Sequence, residues 1–194
     1  MVIAFVIWGA GTITISKQSS SPYAGSVGHE KISQKELITT LRYYDLLAKS
    51  QANNQETTQN QKETKEKELS EPPLSFDQLQ ALAWQTIALS REAKHEGIQV
   101  SDEEVRQEVE KLFSIGPSFN EQFYRNWIHT NFRGQPRDFE EVVRKHLAVQ
   151  KIRQKVLEGV PVKDRETYWL KWLAPVLGRT NIHAYSSEKS ETND

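Results

Sequence analysis

Residues Glu158–Leu173 read EGVPVKDRETYWLKWL, and the fold turns on whether anything is missing from this junction. A long amphipathic segment ends at Gly159, the residue type that most often closes a helix, and a second segment is under way by Tyr168. If the residues between are a plain turn, the chain is helix after helix. It then has no obvious place for chemistry, and its work is binding.

Upstream of the junction, the longest helix runs from Pro136 or Asp138 to Glu158, with Phe139, Val142, Val143, Leu147, Val149, Ile152 and Val156 at helical spacing. Before it, Gly116-Pro117 break the pattern, Ser118 reopens it, and Phe119, Phe123, Tyr124, Trp127 and Ile128 form an aromatic-heavy segment that closes near Gly134. Ser101-Asp102-Glu103-Glu104 is a capping box: the serine side chain takes a free amide of the first turn while the glutamate reaches back. It opens a helix carrying Val105, Val109, Leu112 and Phe113. Ser75-Phe76-Asp77-Gln78 opens another, with Leu79, Leu82, Ala83, Thr86, Ile87, Ser90 and Ala93 on one face and Gly97 as its stop. Ser33-Gln34-Lys35-Glu36 opens a third, with Leu37, Leu41, Tyr44, Leu47 and Ala48. Gly25–Ser33 reads as two very short strands about a His29-Glu30 turn. After the junction, a helix holding Tyr168, Trp169, Trp172 and Leu173 gives way at Pro175 and Gly178 to a β-favouring tail, NIHAY.

Two stretches do not belong to the packed body. Residues 50–71, SQANNQETTQNQKETKEKELSE, hold only Ala52 and Leu69 as apolar groups, too few to offset the entropy of ordering, so a disordered insertion is expected. Val2–Ile15 is an uncharged apolar run followed by Lys17. It spans roughly 21 Å as a helix, against a bilayer core of about 30 Å. With Trp8 near its outer end and no basic region before it, the run reads as the outer part of a membrane anchor whose beginning precedes Met1.

Composition excludes several functions. The 25 basic and 26 acidic residues leave a net charge of −1, and no basic cluster lacks interleaved acids, so nucleic acid is not an expected partner. The absence of cysteine removes disulfides, thiolate metal sites and cysteine nucleophiles. The five histidines fall on different elements with no ligand spacing, and no phosphate loop or nucleophile elbow is present. No cofactor and no metal are expected.

The order VGHEKIS (Val27–Ser33), a capped helix, LSREAKHEGIQVSDEEVRQEV (Leu89–Val109), FNEQFYRNW (Phe119–Trp127) and DFEEVVRKHLAVQKIRQKV (Asp138–Val156) resembles the N-terminal chaperone domain of the SurA and PpiD family. The resemblance covers roughly Gly25–Val162. It implies a mostly α fold, a helical bundle with a small β element that joins the N- and C-terminal segments by pairing the strand near Ile182 with the Val27 region. In that family a parvulin prolyl-isomerase domain usually follows the equivalent of Val160-Pro161-Val162; here Lys163–Thr167 lead straight into the returning helix, so the isomerase is expected to be absent. The implied organisation is an anchor at 1–16, a linker at 17–24, the chaperone domain at 25–185 with the 50–71 insertion, and a disordered tail at 186–194. The implied setting is the inner membrane, with the body facing the periplasm.

The aromatic residues are the functional candidates. Most of them belong to the core of such a bundle, but some are expected to line an exposed groove, because exposed apolar patches mark sites that hold other chains. The candidate peptide-binding set is Phe119, Phe123, Tyr124, Trp127, Phe132, Trp169 and Trp172. The first functional reading is a membrane-anchored extracytoplasmic chaperone that holds unfolded or newly translocated polypeptides without isomerase activity. The second is a structural adaptor for one fixed envelope or secretion partner, and the third an enzyme of unrecognised type. Oligomeric state is left open.

Overall fold

The computed structural model describes residues 21–59, 74–115 and 118–184. The expected anchor, the 60–71 part of the insertion and the 186–194 tail lie outside the described residues. Among the described residues no helix is long and apolar enough to cross a membrane. The chain runs β1 (Tyr23–Val27), β2 (Glu30–Ser33), α1 (Gln34–Gln59), α2 (Phe76–His95), α3 (Asp102–Phe113), β3 (Ser114–Ile115), β4 (Ser118–Phe119), α4 (Glu121–Trp127), a π-helical turn (Ile128–Phe132), α5 (Pro136–Val156), a 3-10 turn (Val162–Asp164), α6 (Arg165–Thr180) and β5 (Ile182–Ala184). The fold is mostly helical with a small antiparallel sheet, as expected.

The sheet has the order β2-β1-β5. Val27 pairs with Ile182 and Gly25 with Ala184, so the two ends of the body meet where the resemblance placed them. Gly28, at φ 57°, makes the β1–β2 turn and donates its amide to Thr180 O at 2.6 Å. The turn thus sits at Gly28-His29, with Glu30 already in β2. Tyr23 and Ala24 belong to β1 and not to the expected linker, because pairing with β2 begins there.

Two of the three capping boxes are complete. Ser75 takes the Gln78 amide at 3.3 Å and gives its own to Gln78 Oε1 at 2.7 Å. Ser101 and Glu104 do the same at 3.2 and 2.9 Å. Glu104 is held down to about 2, first by the Lys151 ammonium and then by Ser101. At Ser33 only one half forms: its hydroxyl takes the Glu36 amide at 3.0 Å. The Glu36 carboxylate instead accepts from Arg91 at 2.9 Å and faces Lys145 at 3.4 Å. It therefore ties α1 to α2 and α5.

α2 is the central element and serves three buried clusters. Tyr43, Tyr44, Leu79, Val105, Val109, Phe113, Tyr124, Ile128, Phe132, Phe139, Val142 and Val143 fill the largest. Val27, Ile32, Leu37, Ala83, Trp84, Ile87 and Ala88 pack beneath the sheet, and Leu89, Ala93, Ala148, Ile152, Trp169, Leu173 and Val176 pack under α6. A buried polar chain crosses the first cluster: Thr86 donates to the Tyr44 hydroxyl at 2.8 Å, and that hydroxyl lies 3.4 Å from His146 Nδ1. Pairing of this kind is what makes buried polar groups tolerable.

Four further features differ from what the sequence predicts. α1 continues to Gln59, so residues 50–59 are helix and not the start of a loop; without glycine or proline nothing in that stretch stops a helix already propagating. α6 runs through Pro175. The missing amide lies on the exposed side, while Leu173 and Val176 are buried on either side of it. The aromatic segment is capped by Asn120, whose side chain takes the Phe123 amide at 2.9 Å, because Ser118-Phe119 pair with Ser114-Ile115 as a hairpin. Leu112 is exposed, since adjacent helical residues lie about 100° apart and Phe113 takes the inward position.

The junction is a turn. α5 gives way at Leu157, Gly159 adopts φ 74°, Arg165 Nε donates to Val160 O at 3.0 Å, and Arg153 pairs with Glu166 across the helices at 2.9 Å. The chain passes from α5 to α6 within residues 157–164, and no domain intervenes.

Candidate functional site

The site follows from two apolar stripes on one short segment. Tyr124, Ile128 and Phe132 repeat every fourth residue and turn inward. Phe123 and Trp127 each stand one residue earlier, about 100° around α4, and are left partly in solvent, as is Phe119 in β4. Phe123 and Trp127 stand against Leu112, Phe113 and Ser114 from the end of α3 and β3, Tyr43, Leu46 and Leu47 from α1, and Phe139 from α5. Together they enclose an open cavity of about 300 Å³.

Its floor is an edge-to-face aromatic array. Phe113 lies 4.9 Å from Trp127 and 5.7 Å from Phe139, and Tyr43 lies 5.6 Å from Phe139. Such pairs hold one another in fixed geometry. The rim reaches into water: Leu112 is 41% and Phe123 39% exposed. The one small polar side chain in the lining, Ser114, already donates to Glu110 O at 2.6 Å. Burial pushes the Tyr43 hydroxyl well above the usual range, with the charges of Tyr44 and Glu108 adding to it, so it stays neutral. The lining offers no acid, base or nucleophile. What it can do is take up an apolar side chain.

On the other side of α3 a second cavity of about 340 Å³ has Val105, Val109, Phe119, Tyr124 and Pro136 in its lining. Its rim is occupied by ion pairs: Arg106 with Glu110, Arg125 with Glu121, and Arg144 with Asp102. Tyr124 donates to Glu140 at 3.1 Å, and burial, then the Glu140 charge, raises its pKa. A third, polar cleft between α1, α2 and α5 is crossed by the Glu36 pairs to Arg91 and Lys145. Among the described residues no group of three carboxylate or histidine side chains is placed to hold a metal ion. His29, His95, His129 and His183 are exposed on separate elements.

The seven expected contact residues therefore divide. Phe123 and Trp127 line the apolar cavity and Phe119 lines its neighbour. Phe132, fully buried, and Trp169, 6% exposed, belong to the core; so does Tyr124, which also lines the second cavity. Trp172 stacks on Trp169 at 5.1 Å and 22°, with the Arg153 guanidinium 5.4 Å above Trp169. Both tryptophans thus belong to the face of α6 that packs on the third cluster, and they line neither cavity. Missed from the sequence were Leu112, Leu46 and Tyr43. The signal was there in the doublets Tyr43-Tyr44, Leu46-Leu47 and Leu112-Phe113, which widen an apolar stripe beyond what one core can cover.

Among protein families, residues 1–153 match the SurA-like N-terminal domain, and no parvulin domain is matched. Neither the curated proteins nor the solved structures contain a match. The family match stops within α5, yet α6 and β5 complete the third cluster and the sheet of the same body.

Proposed function

Because the chain belongs to the SurA-like N-terminal domain family, whose role is of the chaperone or periplasmic adaptor type, we propose that it is a chaperone that holds unfolded polypeptides at the cavity between α1, α3 and α4. The observation that carries this reading is the combination of a fixed aromatic floor with a rim of exposed Leu112 and Phe123. A rigid floor takes any bulky apolar side chain, and flexible rim residues adapt to what surrounds it. Holding is weak and reversible, since an unfolded client loses conformational freedom on binding. The reading includes a membrane tether through the apolar run at residues 2–15, a body facing the periplasm, and no catalysis. Phe123 and Trp127 are the contact residues, with Phe119 reached by a longer client.

The test is suppression of aggregation of a reduced, unfolded protein, beside a proline cis/trans exchange assay on the same preparation. The wild-type chain should slow aggregation and leave exchange at its uncatalysed rate of tens of seconds or slower. A Leu112→Glu, Phe123→Glu variant should lose most of the holding. Both side chains are more than a third exposed, so each substitution should cost about 1–2 kcal/mol, less than the loss of a fully buried side chain, and a circular dichroism melt checks that the double variant is folded. A folded double variant that holds clients normally would remove the cavity from consideration. Binding of a single envelope protein, with indifference to unrelated unfolded clients, would favour the adaptor reading.

A further inference from the structure

His146 is absorbed neither by the core nor by the groove, and it stands between them. It projects from α5 into the angle of α1, with its ring 5.7 Å from Tyr43 and 6.3 Å from Tyr44. Tyr43 presents its ring to Phe139 and to the apolar cavity, so His146 is the layer behind one wall of the groove. The Tyr44 hydroxyl accepts from Thr86 at 2.8 Å and lies 3.4 Å from Nδ1. Gln150 Nε2 lies 2.8 Å from His146 Nε2, so the amide donates and Nε2 accepts. This arrangement suits a neutral imidazole protonated at Nδ1, whose N–H faces the Tyr44 oxygen. An imidazolium also carries a proton on Nε2, sets it against the Gln150 N–H donor and places a charge among aromatic rings.

We propose that His146 is an acid-sensitive latch of the groove, resting on the client-holding reading above: protonation drives the imidazole out toward water, Tyr43 loses its backing, and the groove weakens its hold. The surrounding groups support this. On α1, the phenols of Tyr43 and Tyr44 are both raised by burial, the latter to about 12, so neither supplies a counter-charge near neutral pH. On α2 the neighbour is the Thr86 hydroxyl, and on α5 the Gln150 amide. α3 presents Glu108 and Lys111, paired to each other at 3.1 Å, whose charges act on the imidazole in opposite directions. Burial dominates and holds His146 below the usual histidine range. A folded-state value below the unfolded one means stability present at neutral pH. That stability falls away once the pH drops below the ordinary histidine value, and the loss is complete below the folded value.

The experiment follows three readouts on the full chain from about pH 7.5 to about pH 5, the window in which histidines titrate. They are the His146 imidazole shift by NMR, amide exchange over Tyr43–Leu47, and anisotropy of a labelled peptide rich in Leu and Phe with no titratable group. If only the neutral-imidazole state is competent, the apparent Kd rises about tenfold per pH unit below the His146 midpoint. Exchange over Tyr43–Leu47 should accelerate with the same midpoint, and His146→Gln should flatten both profiles. Peptide binding and exchange that stay constant while the imidazole titrates would overturn the latch. Absence of peptide binding at every pH, with exchange still tracking His146, would sink the client reading and leave the latch standing. The wild-type comparison of midpoints decides the matter even where His146→Gln fails to fold.

Discussion

Phe132→Ala is expected to destabilise the domain by about 3–5 kcal/mol, a large part of the roughly 5–15 kcal/mol that a domain of this size has in total. Phe132 ends the π-helical turn with no exposed surface. Its ring meets Phe139 edge-on at 5.3 Å and 85°. The next residue, Arg133, closes the turn in the left-handed region at φ 54°, its amide bonded to Ile128 O at 3.0 Å and its carbonyl accepting from Arg42 at 2.8 Å. Backbone held this tightly cannot collapse into the space a lost ring leaves, so the substitution pays the cavity term almost in full. Urea unfolding monitored by far-UV circular dichroism would measure the change. A midpoint within error of wild type would show that the ring is not core. The same scan on Phe123→Ala should give a far smaller shift, because that ring is 39% exposed.

That contrast also shows what can be read along the chain and what cannot. The stripes Tyr124-Ile128-Phe132 and Phe119-Phe123-Trp127 are equally apolar and equally periodic. Spacing says that they lie on adjacent faces; only the position of α5, which supplies Phe139 to the inner stripe, says which face is inward. Capping boxes at Ser75 and Ser101 were legible because their chemistry is complete within four residues. The β1–β5 closure was legible only through the resemblance, since nothing local in NIHAY names Val27 as its partner. The β3–β4 hairpin was hidden because strands of two residues carry no alternation to detect. The burial of Trp169 was hidden too. A helix with Tyr168, Trp169 and Trp172 shows aromatics over a wide arc, and it is the Arg153 guanidinium above Trp169 and the Trp172 stack beside it that close the arc against the core.

Gly25→Val should detach the C-terminal strand. Gly25 is buried at the centre of the sheet, opposite Ile32 on one side and Ala184 on the other. A Cβ built there falls inside the contact distance of the His183 backbone oxygen and stands 2.8 Å from Trp84 Cη2 and 3.0 Å from Ala184 Cα. Two of these obstacles are backbone and the third is a tryptophan 2% exposed, so none can step aside as a flexible side chain would. The backbone of Gly25 has no positive φ, so the effect isolates space from conformational freedom. Overpacking of this kind costs about 1–3 kcal/mol, and more where the obstacle is backbone. The cheapest relief is to give up β5, because three pairings are lost there while the β1–β2 hairpin survives. Ile182 and Ala184 would then leave the cluster beneath the sheet, and the Gly28 amide would lose Thr180 O. Amide exchange should therefore become fast over Thr180–Ala184 and Val27–Gly28, with protection retained in α5 and around the apolar cavity. Unchanged protection of β5 in the variant would mean that the strand is not held at Gly25, and the account of how the ends of the body are joined would have to be rebuilt.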